Sequence, residues 1–82
     1  MHMLYTVRFL RTAKKLPKHV IDDIIKSIEH LLHPQAREPL HVYPLEGRLR
    51  GLSSLTINYE YQAVVIANEG AIIFLDIAHR MQ

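Results

Sequence analysis

Two apolar runs separated by a three-residue connection constrain the fold of this chain more than any other feature. Residues 62–67 and 71–77 are almost entirely apolar, and Asn68-Glu69-Gly70 lies between them. Short apolar runs joined by so short a turn predict an antiparallel hairpin. Because the first run is so apolar, we expect it to be a central strand that is covered on both faces.

Two further segments have the alternation of a half-buried strand. Residues 3–9 and 55–61 alternate between larger apolar side chains on one side and mostly polar ones on the other. We therefore expect a first strand over 3–9 and a strand over 55–61 that leads into the hairpin. Tyr59 and Tyr61 fall on the apolar side of the second segment, which favours core packing over stacking on nucleic-acid bases.

Residues 17–33 have the pattern of an amphipathic helix. Their apolar side chains fall within an arc of about 140° at about 100° per residue. Pro17 fits the first turn of this helix and Pro34 ends it. A short helical turn is expected over 11–16. The residues expected to pack the main helix onto a sheet are Ile21, Ile24, Ile25, Ile28 and Leu32.

The order of these elements predicts an α+β fold. A strand and two helical segments come first, residues 35–43 form a connection, and strands joined by short turns follow. We expect a short helical hairpin packed on one face of a twisted, mostly antiparallel sheet of about four strands. The chain has 82 residues, which predicts a single domain over 1–82 with one core.

The composition excludes several classes of protein. The chain has no cysteine, which excludes a disulfide framework and a thiolate zinc site. No apolar run is long enough for a membrane span and nothing resembles a signal peptide, so we expect a cytoplasmic protein. His30 and His33 are three apart on a helix, but no carboxylate or cysteine completes a ligand pattern. We therefore expect no metal and no cofactor.

A basic hook lies at residues 45–52, which read LEGRLRGL. Arg48 and Arg50 are two residues apart, so both project from the same face of an extended segment. His79 and Arg80 follow the last predicted strand. Cationic groups that converge on one side of a small sheet suit a phosphodiester backbone better than an apolar metabolite.

Taken in order, these segments resemble the RelE/ParE superfamily of bacterial toxin–antitoxin toxins. The resemblance covers almost the whole chain: Phe9-Leu10 with Lys14-Lys15-Leu16-Pro17, the amphipathic helix, Pro44-Leu45-Glu46-Gly47 with the hook, Tyr59-Glu60-Tyr61-Gln62, and His79-Arg80. It implies a toxin that a cognate antitoxin neutralises by covering the hook and the open face of the sheet. Three functions stay open: ribosome-dependent cleavage of messenger RNA, ParE-like binding of DNA gyrase without catalysis, or a degenerate toxin that binds only its antitoxin.

The resemblance to the RelE-like branch also implies site residues. A ribose 2′-hydroxyl attacks the adjacent phosphate, which requires a base, an acid and cations at the charged phosphorane. Arg48 and Arg50 match the arginines of the family's hook, and Arg80 matches its terminal arginine. His79 is the expected proton-transfer group, because histidine gains and loses a proton near neutral pH. The weaker candidates for the base are Glu46 and Glu60.

One position in the hairpin departs from the family pattern. The hairpin of RelE-like nucleases commonly carries a Tyr-Arg or His-Arg pair, and this chain has Tyr61-Gln62. Glutamine donates a hydrogen bond but cannot neutralise a phosphate. Residues expected to contact RNA are Gln62, Lys14, Lys15 and Lys18. The structural alternatives are a sheet residue for Gln62, a solvated face for the lysines and an edge-blunting role for the arginines of the hook. For His79 the alternative is a structural or exposed side chain, for Arg80 a solvated tail, and for Glu46 a surface or turn residue.

Overall fold

The computed structural model describes residues 2–32, 42–44 and 51–80. Its elements are β1 (His2–Tyr5), α1 (Val7–Lys14), α2 (Lys18–Leu32), β2 (Val42–Pro44), β3 (Ser53–Thr56), β4 (Tyr61–Asn68) and β5 (Ala71–His79). The strands form one five-stranded sheet in the order β1-β5-β4-β3-β2. β1 runs parallel to β5, and the other neighbours are antiparallel. The expected α+β fold is confirmed, and the fifth strand is the short β2 within a segment predicted to be mainly a connection.

The predicted hairpin is formed by β4 and β5. The two strands pair from Tyr61 with His79 to Asn68 with Ala71. Glu69 and Gly70 form the turn, where Gly70 has a φ of 75° in the left-handed region that glycine tolerates best. β4 is the central strand of the sheet, as expected.

The central strand is fully covered on only one face. Ala63 and Val65 are buried together with residues of both helices, whereas Val64 and Ile66 are half-buried. Successive side chains of a strand point to opposite faces, so the helices cover one face and the other stays partly open. The expectation of cover on both faces is therefore wrong, because both helices pack on the same side.

The first strand is shorter than its alternation predicts, because Thr6 starts a helix. The N–H of Phe9 donates to the Thr6 hydroxyl oxygen at 3.0 Å, which caps α1. The Thr6 hydroxyl donates to the carbonyl of Leu75 at 2.7 Å. Residues 7–9 are thus helical rather than extended, and Phe9 reaches the core from α1.

A β-bulge in β5 anchors α1 to the sheet. Val64 pairs with Asp76 and Val65 pairs with Phe74, so Leu75 is the extra residue. Its carbonyl is the acceptor for Thr6. One oxygen of the Asp76 carboxylate accepts from the Thr12 hydroxyl at 3.0 Å, and the other lies 3.3 Å from Nε of Arg8. These contacts hold α1 against β5.

α2 packs on the sheet through a narrower strip than its apolar arc predicts. Val20, Ile24 and Ser27 are buried, and Ile28 packs partly against the core. The Ser27 hydroxyl donates to the Asp23 carbonyl at 3.0 Å, so its polar group is satisfied there. Ile25 and Leu32, which the sequence places in the contact, are 48% and 47% exposed. They lie at the margins of the arc, beyond the part of the helix that the sheet covers.

The core is continuous across both helices and the sheet. Its buried residues are Phe9, Val20, Ile24, Leu55, Ala63, Val65, Ile72, Phe74 and Ile77. Phe9 and Phe74 lie with their ring centroids 5.2 Å apart, and Tyr5 lies 5.3 Å from Phe74. This aromatic cluster joins β1, α1 and β5. No helix in the described part of the chain is long and apolar enough to cross a membrane.

Two adjacent isoleucines of α2 test this packing. Ile24→Ala should lower the free energy of unfolding by about 2–4 kcal/mol, because it leaves a cavity between α2 and the sheet. Ile25→Ala should change it by less than about 0.5 kcal/mol, because that side chain is half-exposed. Urea unfolding followed by circular dichroism measures both values. Equal losses for the two variants would contradict the orientation of α2.

Candidate functional site

β3 and β4 are joined by a turn at residues 57–60, where the alternation predicts a continuous strand. Oδ1 of Asn58 accepts from the N–H groups of Glu60 and Tyr61, each at 2.8 Å. An asparagine that bonds the backbone two and three residues ahead favours a turn over the ladder of a sheet. β3 therefore ends at Thr56, and Tyr61 begins β4.

The turn separates two tyrosines that the sequence places together in the core. Tyr59 is 79% exposed, so the prediction that it packs inside is wrong. Tyr61 is half-buried and packs against the core, as expected. The backbone turn releases Tyr59 from the alternation, and its ring is open to a partner.

His79 lies at the end of β5 directly opposite Tyr61. The two residues form a pair in the β4–β5 ladder. Their ring centroids are 5.1 Å apart at an interplanar angle of 68°, an edge-to-face arrangement. His79 therefore shares the face of Tyr61 and Ile77, and its imidazole is half-buried.

Arg80 is held by the same turn through its backbone and its side chain. Its N–H donates to the carbonyl of Glu60 at 2.7 Å, and Nη1 donates to the carbonyl of Asn58 at 3.1 Å. A guanidinium has five N–H donors, so one bond leaves most of them for another acceptor. Arg80 is exposed and forms no ion pair with the described residues. The site therefore presents a positioned cation one residue after a histidine.

Asn58 also connects this turn to helix α2. Its Nδ2 donates to Oδ2 of Asp23 at 2.9 Å. The sequence predicts neither Asn58 nor Asp23 as a site residue. The available signal is that asparagine is depleted in strands, so its place within an alternating segment indicates a turn.

Gln62 lies on the opposite face of the sheet from His79. Tyr61 and His79 share a face as a direct pair, and Gln62 is the next residue of β4. Oε1 of Gln62 accepts from the hydroxyl of Ser54 at 2.6 Å, and Ser54 is buried. Gln62 therefore satisfies a buried hydroxyl on the face of the sheet opposite His79.

The predicted lysine cluster surrounds the junction of the two helices. Lys14 ends α1, Lys15 follows it, Lys18 begins α2, and all three are exposed. Residues 1–21 contain five of the ten lysines and arginines of the chain and none of its eight acidic residues. The other two cations are Arg8 and Arg11 on α1. The N-terminal part of the chain is therefore its most basic segment.

Several predicted site residues lie outside the described residues. They are Glu46, Arg48 and Arg50 of the hook. Convergence of the hook on Arg80 stays a prediction. Within residues 2–32, 42–44 and 51–80, no group of three or more histidine, aspartate and glutamate side chains could hold a metal ion.

Solved structures supply the comparison that identifies the fold. No protein-family model and no curated protein matches the chain. YafQ from E. coli strain BL21(DE3) superposes with a TM-score of 0.77 at 12% identity, over 96% of this chain and 92% of that one. A chain of the RelB-RelE antitoxin-toxin complex from Methanococcus jannaschii gives 0.74 at 22% identity, over 95% and 91%. The chain has the RelE-like toxin fold.

A third solved structure superposes on the chain equally fully. A chain of the toxin-antitoxin complex RelBE2 from Mycobacterium tuberculosis matches at a TM-score of 0.72 and 23% identity, covering 99% of this chain and 92% of that one. The resemblance that the sequence predicts is therefore confirmed for the fold. At these identities the RelE-like fold leaves the activity to be argued from the site.

The two tyrosines of the site give a direct test of its geometry. Tyr59→Ala should change the free energy of unfolding by less than about 0.5 kcal/mol, because the ring is almost wholly in solvent. Tyr61→Ala should lower it by about 1–3 kcal/mol, because it removes contacts with the core and with His79. Thermal unfolding of the two variants would measure the difference. A larger loss at Tyr59 would contradict the turn at 57–60.

Proposed function

We propose that this protein is the toxin of a type II toxin–antitoxin system and cleaves messenger RNA on the ribosome. The first support is the RelE-like fold, which spans nearly the whole chain in neighbours named as toxins or crystallised in toxin–antitoxin complexes. Because one fold can carry several functions, the choice among them has to be argued from the residues of the site. Such a function would place the protein in the cytoplasm.

The observation that carries the proposal is the attachment of Arg80 to the 57–60 turn, one residue after His79 in the chain. The guanidinium is exposed and bonded to the turn, with further donors available. A planar guanidinium can donate two parallel hydrogen bonds to phosphate oxygens, which a lysine cannot match. A positioned cation of this kind stabilises the charge that develops on phosphorus during RNA cleavage.

The proposed reaction forms one bond and breaks another at the same phosphorus. The ribose 2′-oxygen bonds to phosphorus and loses its proton to a base. The bond from phosphorus to the 5′-oxygen breaks, and an acid gives that oxygen a proton, which leaves a 2′,3′-cyclic phosphate and a 5′-hydroxyl. We assign proton transfer to His79 and charge stabilisation to Arg80, with Arg48 and Arg50 as further cations. Glu46 is the alternative base.

Other residues would contact ribosomal RNA and the messenger RNA. We assign the contact with ribosomal RNA phosphates to Lys14, Lys15 and Lys18, which are exposed at the helix junction. Gln62 is the remaining candidate for an RNA contact.

An antitoxin is the second partner that we propose. Complementary acidic charge would speed its association, and apolar contacts would hold it in place. Exposed apolar side chains within the basic segment 1–21 support this: Leu4 is 51% exposed and Val7 is 65% exposed. The antitoxin would cover the hook and the open face of the sheet.

Gln62 favours the non-nucleolytic alternatives. It stands where RelE-like nucleases commonly carry an arginine, and it bonds Ser54 on the face opposite His79. A chain without that cation could bind DNA gyrase in the manner of ParE or bind only an antitoxin. The experiment below separates these alternatives from cleavage.

Cleavage can be tested by primer extension on translated messenger RNA after induction of the protein. The wild type should cut within codons. His79→Ala should reduce cutting by about 10²- to 10⁴-fold if His79 transfers a proton. Arg80→Ala should also reduce it, and Arg80→Lys should not restore it, because the planar fork is lost.

Lys26→Ala is the matched control, because Lys26 is an exposed cation of α2 to which no contact with RNA or with the reacting groups is assigned. It should cut like the wild type. Intact messenger RNA with halted DNA replication would instead indicate gyrase binding. Intact messenger RNA without toxicity would indicate a protein that binds only its antitoxin.

A further inference from the structure

Asn58 occupies a point where three separate parts of the fold meet. Its side chain bonds the turn and helix α2, and its carbonyl bonds Arg80 beyond the end of β5. The sequence separations are 35 residues to Asp23 and 22 residues to Arg80. We propose that Asn58 is a positioning residue that holds the Arg80 guanidinium, and that Asp23 fixes Asn58 in place. The role of Arg80 in cleavage rests on the proposed function, but its positioning does not.

Every polar group of Asn58 takes part in this arrangement. Oδ1 accepts from two backbone N–H groups of the turn, and Nδ2 donates to Asp23. Its own N–H donates to the Tyr61 carbonyl at 3.3 Å. The remaining group, the carbonyl oxygen, accepts from Nη1 of Arg80 at 3.1 Å. The side chain thus fixes the backbone whose carbonyl holds the arginine.

The formation of a turn does not by itself require asparagine at this position. Aspartate offers the same acceptor oxygen for an Asx turn, and serine offers a weaker one. The bond to the Asp23 carboxylate requires a donor, which an ionised aspartate lacks. Two carboxylates at that distance would also repel each other. The contact with α2 therefore requires asparagine rather than aspartate at position 58.

A held guanidinium matters for a group that acts on a transition state. Arginine has a long side chain with many rotamers, and an exposed one loses that freedom when it binds. A bond made before the substrate arrives reduces this loss and keeps the charge near the reacting phosphate. The backbone bond from the Arg80 N–H to the Glu60 carbonyl supports the same placement.

A double-mutant cycle on the cleavage rate tests the coupling. Asn58→Ala should lower kcat by about 10- to 100-fold and leave KM for programmed ribosomes within about 3-fold. In the Arg80→Ala background the same substitution should have almost no further effect, because its action passes through Arg80. Effects that multiply in the double variant would overturn the proposal. Asn68→Ala, at the exposed end of β4, is the control and should cleave like the wild type.

A reciprocal exchange tests the link to α2 without removing the turn. Asn58→Asp keeps the acceptor for the turn but places two carboxylates together, so it should lower kcat. Adding Asp23→Asn restores an amide–carboxylate bond with its direction reversed, and kcat should recover to within about 3-fold of the wild type. Recovery is a result that general destabilisation does not predict. No recovery in a folded double variant would overturn the role of Asp23.

A spectroscopic measurement separates this proposal from the proposed function. In ¹⁵N-labelled protein, the Nη–H signals of Arg80 should exchange with water more slowly in the wild type than in Asn58→Ala. Slow exchange should return in the double variant Asp23→Asn with Asn58→Asp. If the wild type cuts no messenger RNA, the proposed function fails while this measurement still decides the positioning. Equal exchange in the wild type and Asn58→Ala would overturn it.

Discussion

The pairing of β4 with β5 is the interaction on which the rest of this structure depends. It forms the longest ladder of the sheet and places β4 at its centre. β1 and β3 attach to its two sides, and both helices pack on one of its faces. The register also sets the site, because pairing of Tyr61 with His79 brings the 57–60 turn next to Arg80. A shift of one residue would send His79 to the opposite face.

Local irregularities adapt this regular hairpin to its neighbours. The extra residue at Leu75 presents a carbonyl to Thr6, and Thr6 in turn starts α1. At the other end, Asn58 closes the turn that holds Arg80. In both places a short polar side chain bonds backbone groups that a continuous strand would pair elsewhere. These two deviations from β geometry position the first helix and the candidate site.

Much of the architecture could be predicted from the sequence, and the errors share a cause. Apolar runs around Gly70 predicted the hairpin, and the period of 17–33 predicted α2, because both patterns are set by burial along a regular element. The extents of the first strand and of the strand before β4 were wrong. In each case a side chain interrupts a short alternating pattern that was interpreted as a continuous strand: Thr6 caps a helix, and Asn58 forms a turn.

By itself, the sequence determined the hairpin, the main helix with Ile24 on its buried side, and the presence of His79 next to Arg80 in the chain. These follow from local periodicity and covalent order. Only the tertiary structure decided that Gln62 faces away from His79, that Tyr59 is exposed, and that Asp23 reaches Asn58 across 35 positions. Such contacts join residues that are distant in the chain, so they depend on strand register and helix placement rather than on any local pattern.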